Sequence, residues 1–153
     1  MIPSTQASIG QSFPKSAICQ PSVQDTFTAL IVSGDLEGRR KVSKILEALS
    51  VNTLCCSTLT QAGEVLLLQR PQLIFCDEHL PDGCYADLLE SQRPGGGSRR
   101  VVVLTRTGEW NLYMAATRRG AFDVIRDPWC PTDIELSLIR AVREEKYKRK
   151  TIS

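Results

Sequence analysis

Apolar residues in this chain fall into two kinds of run. Residues 27–32, 51–56, 73–76, 100–104 and 121–125 are short apolar stretches bounded by turn residues. Runs of that length are how strands buried on both faces read. Between them the period lengthens. Val42, Ile45, Leu46 and Leu49 repeat at i, i+3, i+4, i+7, while Arg39, Arg40, Lys41, Lys44 and Glu47 occupy the other faces. That spacing predicts an amphipathic helix. A second helix, over about 60–69, buries Ala62, Val65, Leu66 and part of Leu67 and Leu68, and stops before Pro71.

A short, weak helix is expected around 86–90, followed by the flexible connection Pro94-Gly95-Gly96-Gly97-Ser98. Another helix covers about 109–119, with Gly120 as its left-handed stop. The last begins near Pro131 and carries Ile134, Leu138, Ala141 and Val142 as its buried stripe. Five strands alternating with five helices imply an α/β fold. The expectation is a five-stranded parallel sheet of flavodoxin-like order 2-1-3-4-5, with helices on both faces. Residues 1–25 are rich in Ser, Gln and Pro without a hydrophobic period, which predicts a flexible arm. The domain itself is expected to span 26–147, with a basic tail over 148–153.

Composition narrows the function classes. The 153 residues suit one domain, and a net charge of +2 is too small to argue for nucleic acid. The six cysteines, at 19, 55, 56, 76, 84 and 130, contain no C-x-x-C pair. Cys55, Cys56 and Cys76 lie in strand-like runs and read as reduced core thiols. Neither a membrane span nor a signal segment is expected, so a cytoplasmic protein is.

Candidate chemistry gathers at the strand ends. Asp77 ends the third apolar run, ahead of the chain break Leu80-Pro81-Asp82-Gly83. It either caps a turn or sits at a ligand crevice, where open α/β sheets place their sites. The topology puts Asp35, Asp77, Thr105 and Asp127 around that one crevice.

In this order and spacing the motifs resemble the response-regulator receiver domain, the phospho-aspartate switch of two-component signalling, over roughly 27–147. The resemblance implies a phosphorelay role, with Asp77 as phospho-acceptor position and Thr105 as switch hydroxyl. Gly120-Ala121-Phe122-Asp123 resembles the lead-in to strand five, and Pro128 matches the family proline. The family's acidic pair falls on Ser33 and Gly34, its lysine on Asp127, and its aromatic switch position on Val124.

These departures disable much of the device. Phosphoryl transfer onto a carboxylate needs a divalent cation and a fixed positive group. Ser33 and Gly34 remove both carboxylates that would hold Mg²⁺, so a metal site could draw only on Asp35, Asp77 and the backbone of His79. Magnesium binding is therefore expected to be weakened, and no other cofactor is called for. Asp127 reverses a charge near Asp77; like charges 4 Å apart at an effective dielectric of 20 repel by roughly 4 kcal/mol. Arg106 could compensate by reaching Asp77 or Asp127, or could point to solvent. Asp35, Asp77 and Asp127 could instead share a cation.

The expectation is an atypical, non-enzymatic receiver acting through protein contacts, with a histidine kinase or a downstream signalling protein as partner. The alternatives are a receiver still phosphorylated on Asp77 through Asp35, and a flavodoxin-like domain binding a small ligand or cation. A homodimer or partner face is expected on helix 4, strand 5 and helix 5, with Trp110, Tyr113, Arg118, Arg119 and Trp129. Trp110 and Tyr113 could equally pack into the core. The basic residues 143–150 suit a helix C-terminus, and no appended DNA-binding helix-turn-helix is expected. His79, the only histidine, has no Ser or Cys placed beside it for nucleophilic catalysis. A flavin reading is weakened because the loop Ser33-Gly34-Asp35 is short and its acid would repel phosphate.

Overall fold

The computed structural model describes residues 27–92, 99–106 and 110–152, with Gln92 and the last six as backbone only. Five parallel strands form one sheet: β1 (Thr28–Val32), β2 (Asn52–Cys56), β3 (Leu73–Asp77), β4 (Arg100–Thr105) and β5 (Asp123–Arg126), in the order β2-β1-β3-β4-β5. This is the expected order 2-1-3-4-5. Helices α1 (Leu36–Ala48), α2 (Leu59–Leu68), α3 (Tyr85–Gln92), α4 (Trp110–Arg118) and α5 (Pro131–Ile152) cover it. The expected arm over 1–25, with Cys19, and the Pro94–Ser98 connection lie outside the described residues.

Strand alternation divides the core into two layers. Ala29, Ile31, Leu73, Phe75, Val102 and Ile125 face Val42 and Leu46 of α1 and Ile134, Leu138 and Ala141 of α5. Leu30, Val32, Ile74, Cys76, Val101 and Val103 face Ala62 of α2, Leu88 and Leu89 of α3 and Ala116 of α4. Residues 29–32 and 73–76 are fully buried, as central strands covered on both faces must be.

Several local expectations change. Helix α3 is longer than the predicted 86–90 because a small hairpin, His79–Leu80 with Gly83–Cys84, delivers the chain directly to Tyr85. Strand β5 starts two residues later than predicted, at Asp123. Helix α5 runs to Ile152, through the stretch expected to be a separate tail. Leu67 and Leu68 are 85% and 83% exposed: α2 buries Ala62 and partly buries Val65 and Leu66, a stripe that leaves those two outside. Cys55 is exposed on the edge strand, whereas Cys56 and Cys76 are buried.

Two helices end in the same motif with different residues. After α4, Ala121 N–H donates to Ala116 O at 2.9 Å and Gly120 N–H to Thr117 O at 3.0 Å, with Gly120 at φ +104°. After α1, Val51 N–H donates to Leu46 O and Ser50 N–H to Glu47 O, both at 3.0 Å, with Ser50 at φ +65°. These are Schellman pairs, which require a left-handed residue. Gly120 takes that conformation freely, whereas the Cβ of Ser50 makes it costly. Ser50→Gly is expected to stabilise the fold by about 1 kcal/mol, read from the urea midpoint at an unchanged slope.

Candidate functional site: the cleft at the carboxyl ends of the strands

The central strands end at the same level, so the residues that follow them line one cleft of about 520 Å³. Ser33, Gly34 and Asp35 come from the end of β1, Asp77 to His79 from β3, Thr105 and Arg106 from β4, and Asp127 and Trp129 from beyond β5. The structure thus brings together Asp35, Asp77, Thr105 and Asp127, the four residues grouped from topology.

Asp77 continues the alternation of Leu73 and Phe75, which turns it towards the α1 and α5 side. Ser33 follows Ala29 and Ile31 on that same side. Ser33 is 2% exposed, and its hydroxyl donates to Asp77 Oδ2 at 2.7 Å. It also accepts the Asp35 N–H at 3.1 Å. Gly34 donates its backbone N–H to Asp77. A side chain at Gly34 would place its Cβ 3.2 Å from Pro81 Cδ, so the loop after β3 closes over that position.

Burial pushes the Asp77 carboxyl above the ordinary aspartate range. The bonds from Ser33 and Gly34 and the charge of Arg106 offset this in part, while Asp35 adds to it. Desolvation therefore wins over a hydrogen-bonded and partly charge-compensated environment.

Asp35 is the N-cap of α1: its Oδ2 accepts the Gly38 N–H at 3.1 Å. The same oxygen meets Arg106 Nη2 at 3.3 Å. Arg106 therefore spans the cleft to Asp35, not to Asp77 or Asp127 as expected. The reason is geometric: the cap oxygen projects into the cleft mouth, and Arg106 is 76% exposed beside it. Arg39, one turn into α1, donates from Nη1 to Ser33 O at 2.6 Å and ties the helix to the β1 end. The Asp127 N–H donates to Thr105 O at 2.6 Å, and its side chain is exposed.

Thr105 alternates with Val101 and Val103 and so leans to the opposite side of the sheet from Asp77. Its hydroxyl, on a residue 3% exposed, donates to Glu78 Oε1 at 2.6 Å. Sequence reasoning missed Glu78, although its place directly after Asp77 and alternation alone put it on Thr105's side. Exposed His79 approaches Glu78 Oε2 at 3.4 Å. Val124 pairs with Val103 and packs, half-buried, on the α2–α4 side. Among the described residues no group of three or more His, Cys, Asp or Glu side chains converges as a metal site.

Asp82 works from the same loop. Its carboxylate accepts the N–H groups of Leu59 and Thr60 at 2.8 and 3.0 Å, at the start of α2. Those backbone donors hold it below the ordinary aspartate range. The loop that closes over Gly34 is thereby anchored to α2.

Of the expected interface residues, Trp110 and Tyr113 are exposed rather than packed in the core. Their rings stack on each other with centroids 5.4 Å apart. Arg118 and Arg119 are exposed, and Arg119 also bonds to the Tyr85 hydroxyl. Trp129 differs: it is half-buried against the α1–α5 core, with Lys41 Nζ 5.1 Å from its ring centroid. It follows the chain's return from β5 into the groove beside α1, so it forms the cleft wall rather than a free surface.

No helix of the described residues is long and apolar enough to cross a membrane. No protein-family model matches the chain. It is 27% identical over 100 residues to the response regulator protein PilR of Pseudomonas aeruginosa, covering 65% of this chain and 22% of that one. It is 26% identical over 110 residues to the photosynthetic apparatus regulatory protein RegA of Rhodovulum sulfidophilum, covering 72% and 60%. The chain thus spans less than two thirds of either relative. A response regulator receiver domain protein from Methanospirillum hungatei superposes with a TM-score of 0.74 at 20% identity, over 80% of this chain and 98% of that one.

Because the Asp77 carboxyl lies above its unfolded value, the unfolded chain releases that proton first as pH rises. Ionisation therefore costs stability above the ordinary aspartate value of about 3.9 and costs nothing below it. Asp77→Asn, which keeps an acceptor for Ser33, is expected to melt higher than the parent at pH 7. The difference should close as pH falls towards that value, measured by circular dichroism melts across pH. The chain has the receiver fold of the Methanospirillum hungatei protein and is similar in sequence to the regulatory proteins PilR and RegA.

Proposed function

We propose that this receiver is a signalling module that works mainly through protein contacts, with Mg²⁺-dependent phosphorylation of Asp77 impaired or lost. The observation that carries the reading is the 2.7 Å bond from Ser33 to Asp77. Where the family places an acid to hold a cation, a hydroxyl points its proton at the acceptor carboxylate. An acid at Gly34 would meet Pro81.

The remaining donors do not fit Mg²⁺. Of the two carboxylates nearest the position, Asp77 already takes the Ser33 and Gly34 donors, and Asp35 is shared between the α1 cap and Arg106. A small ion needing near-octahedral oxygen ligands would find Asp35 Oδ2 already engaged by the α1 cap and by Arg106. Arg106 places a positive charge at the cleft mouth, facing Asp35.

Receiver domains are signalling modules, not enzymes, and they interact with histidine kinases. For this chain the partner is a kinase or a downstream signalling protein. The stacked Trp110–Tyr113 pair on α4, with Arg118 at the helix end, is the surface offered to it. Exposed aromatics beside arginine are what interface centres favour.

Intact-mass measurement after incubation with Mg²⁺ and acetyl phosphate tests the reading, beside Asp77→Asn. No phosphoryl-sized gain is expected in either protein, with the fold intact by circular dichroism. A gain in the parent that is absent from Asp77→Asn would replace this reading with a receiver that still accepts phosphate, and would make Asp35 the next residue to substitute.

A further inference from the structure

A groove of about 400 Å³ runs along the outer side of α5, beside the end of α1. Leu49, Leu138, Ile139 and Val142 form its apolar floor, and Glu135, Arg143 and Lys146 its charged rim. Leu49 and Ile139 are 36% and 44% exposed, so water meets this floor.

The order of residues along the groove is informative. Glu135, Ile139, Val142 and Lys146 stand at i, i+4, i+7 and i+11, one straight stripe of a helix. Spacings of four, three and four read the same in both directions. A second α5 laid antiparallel, with a two-fold axis between Ile139 and Val142, therefore sets each Ile139 against a Val142. It also sets each Glu135 against a Lys146, and the symmetry supplies both contacts twice.

The charges are available for that pairing. Neither Glu135 nor Lys146 forms an ion pair with another described residue. The neighbouring acids Glu144 and Glu145 are held inside the chain by Arg100, at 3.1 and 3.0 Å. The groove is thus negative at the Glu135 end and positive at the Arg143 and Lys146 end. Ile134 and Ala141 are buried on the adjoining, sheet-facing side of α5, and Leu138 and Val142 bridge that core and the groove, so the stripe is held in place before any partner arrives.

We propose that this groove is an isologous interface between two copies of the chain, formed by antiparallel α5 helices with Glu135 of each facing Lys146 of the other. The occupant is a second copy rather than an unrelated amphipathic helix because α5 itself presents the reversed order of acid, two apolar residues and base. The stripe runs over twelve residues, Glu135 to Lys146, about 16 Å along the helix, so the dimer is small and dissociates on dilution. The surface is distinct from the Trp110–Tyr113 face, and the proposal is independent of whether Asp77 accepts phosphate.

Sedimentation velocity of the full chain across a concentration series tests this, at low salt and at high salt. The parent is expected to move from monomer towards dimer as concentration rises, and less so at high salt. Glu135→Lys and Lys146→Glu each place like charges at both ends of the stripe and should weaken the dimer at least tenfold. An equimolar mixture of those two variants restores opposite charges at both ends and should dimerise as the parent does. Circular dichroism confirms that each variant is folded. A parent that stays monomeric throughout would overturn the proposal. So would single variants that dimerise like the parent, or a mixture of folded variants that does not recover. Dimerisation lost in Trp110→Ala but untouched by the α5 variants would place the contact on α4 instead, and would equally overturn it.

Discussion

Burying a carboxylate at the end of a central strand is the constraint around which this cleft is built. Strand β3 is enclosed on both faces through Cys76, so the next residue emerges with most of its solvation already lost. An ionised side chain there needs donors. Ser33 and the Gly34 N–H supply them because β1 and β3 are adjacent and in register, Val32 beside Cys76, which brings the residues after each strand side by side. The compensation is incomplete, since the carboxyl still lies above its ordinary range. A positive charge at 127, or a cation held at 34, would complete it. This chain has an acid and a glycine at those positions.

The consequences spread outward from that point. Asp35 is committed through Oδ2 to capping the start of α1 and to facing Arg106. The loop after β3 cannot relax away from Gly34, because Asp82 is tied to the first turn of α2. The cleft is thereby held by hydrogen bonds within the chain, from Ser33 and Gly34 to Asp77 and from the first turn of α2 to Asp82.

The fold was legible in the sequence for physical reasons that can be named. Runs such as 29–32 are apolar at every position because both faces are covered, and Val42, Ile45 and Leu46 sit on one stripe because only one face of α1 is. The crevice followed from strand order alone. What escaped was pairing. Ser33 read as a missing acid, not as a donor aimed at Asp77, because a substitution shows what was removed and not the geometry of what replaces it. Glu78 escaped because attention to Asp77 hid the alternation that sends the next residue to Thr105. Leu67 and Leu68 misled because hydrophobicity in a row is not a stripe: a helix this short buries one side. Cys55 misled because strand β2 is an edge, and apolar composition does not distinguish an edge from a centre.

Alternation also bears on whether this cleft can switch at all. Asp77 and Ser33 lie towards α1 and α5, while Glu78 and Thr105 lie towards the helices of the other layer. For the Thr105 hydroxyl to follow a change at Asp77, it must leave the Glu78 carboxylate, a bond of 2.6 Å on a side chain only 16% exposed. A hydrogen bond to a charged group contributes about 1.5–3 kcal/mol, so that departure disfavours the moved state by roughly ten- to more than a hundredfold before any other contact is counted. A ligand at Asp77 would have to bind the moved state better by at least that ratio to populate it. Val124 offers no ring whose reorientation could carry the motion to the α4 surface. The Thr105–Glu78 bond therefore weighs against movement of Thr105, and any coupling from Asp77 has to overcome it.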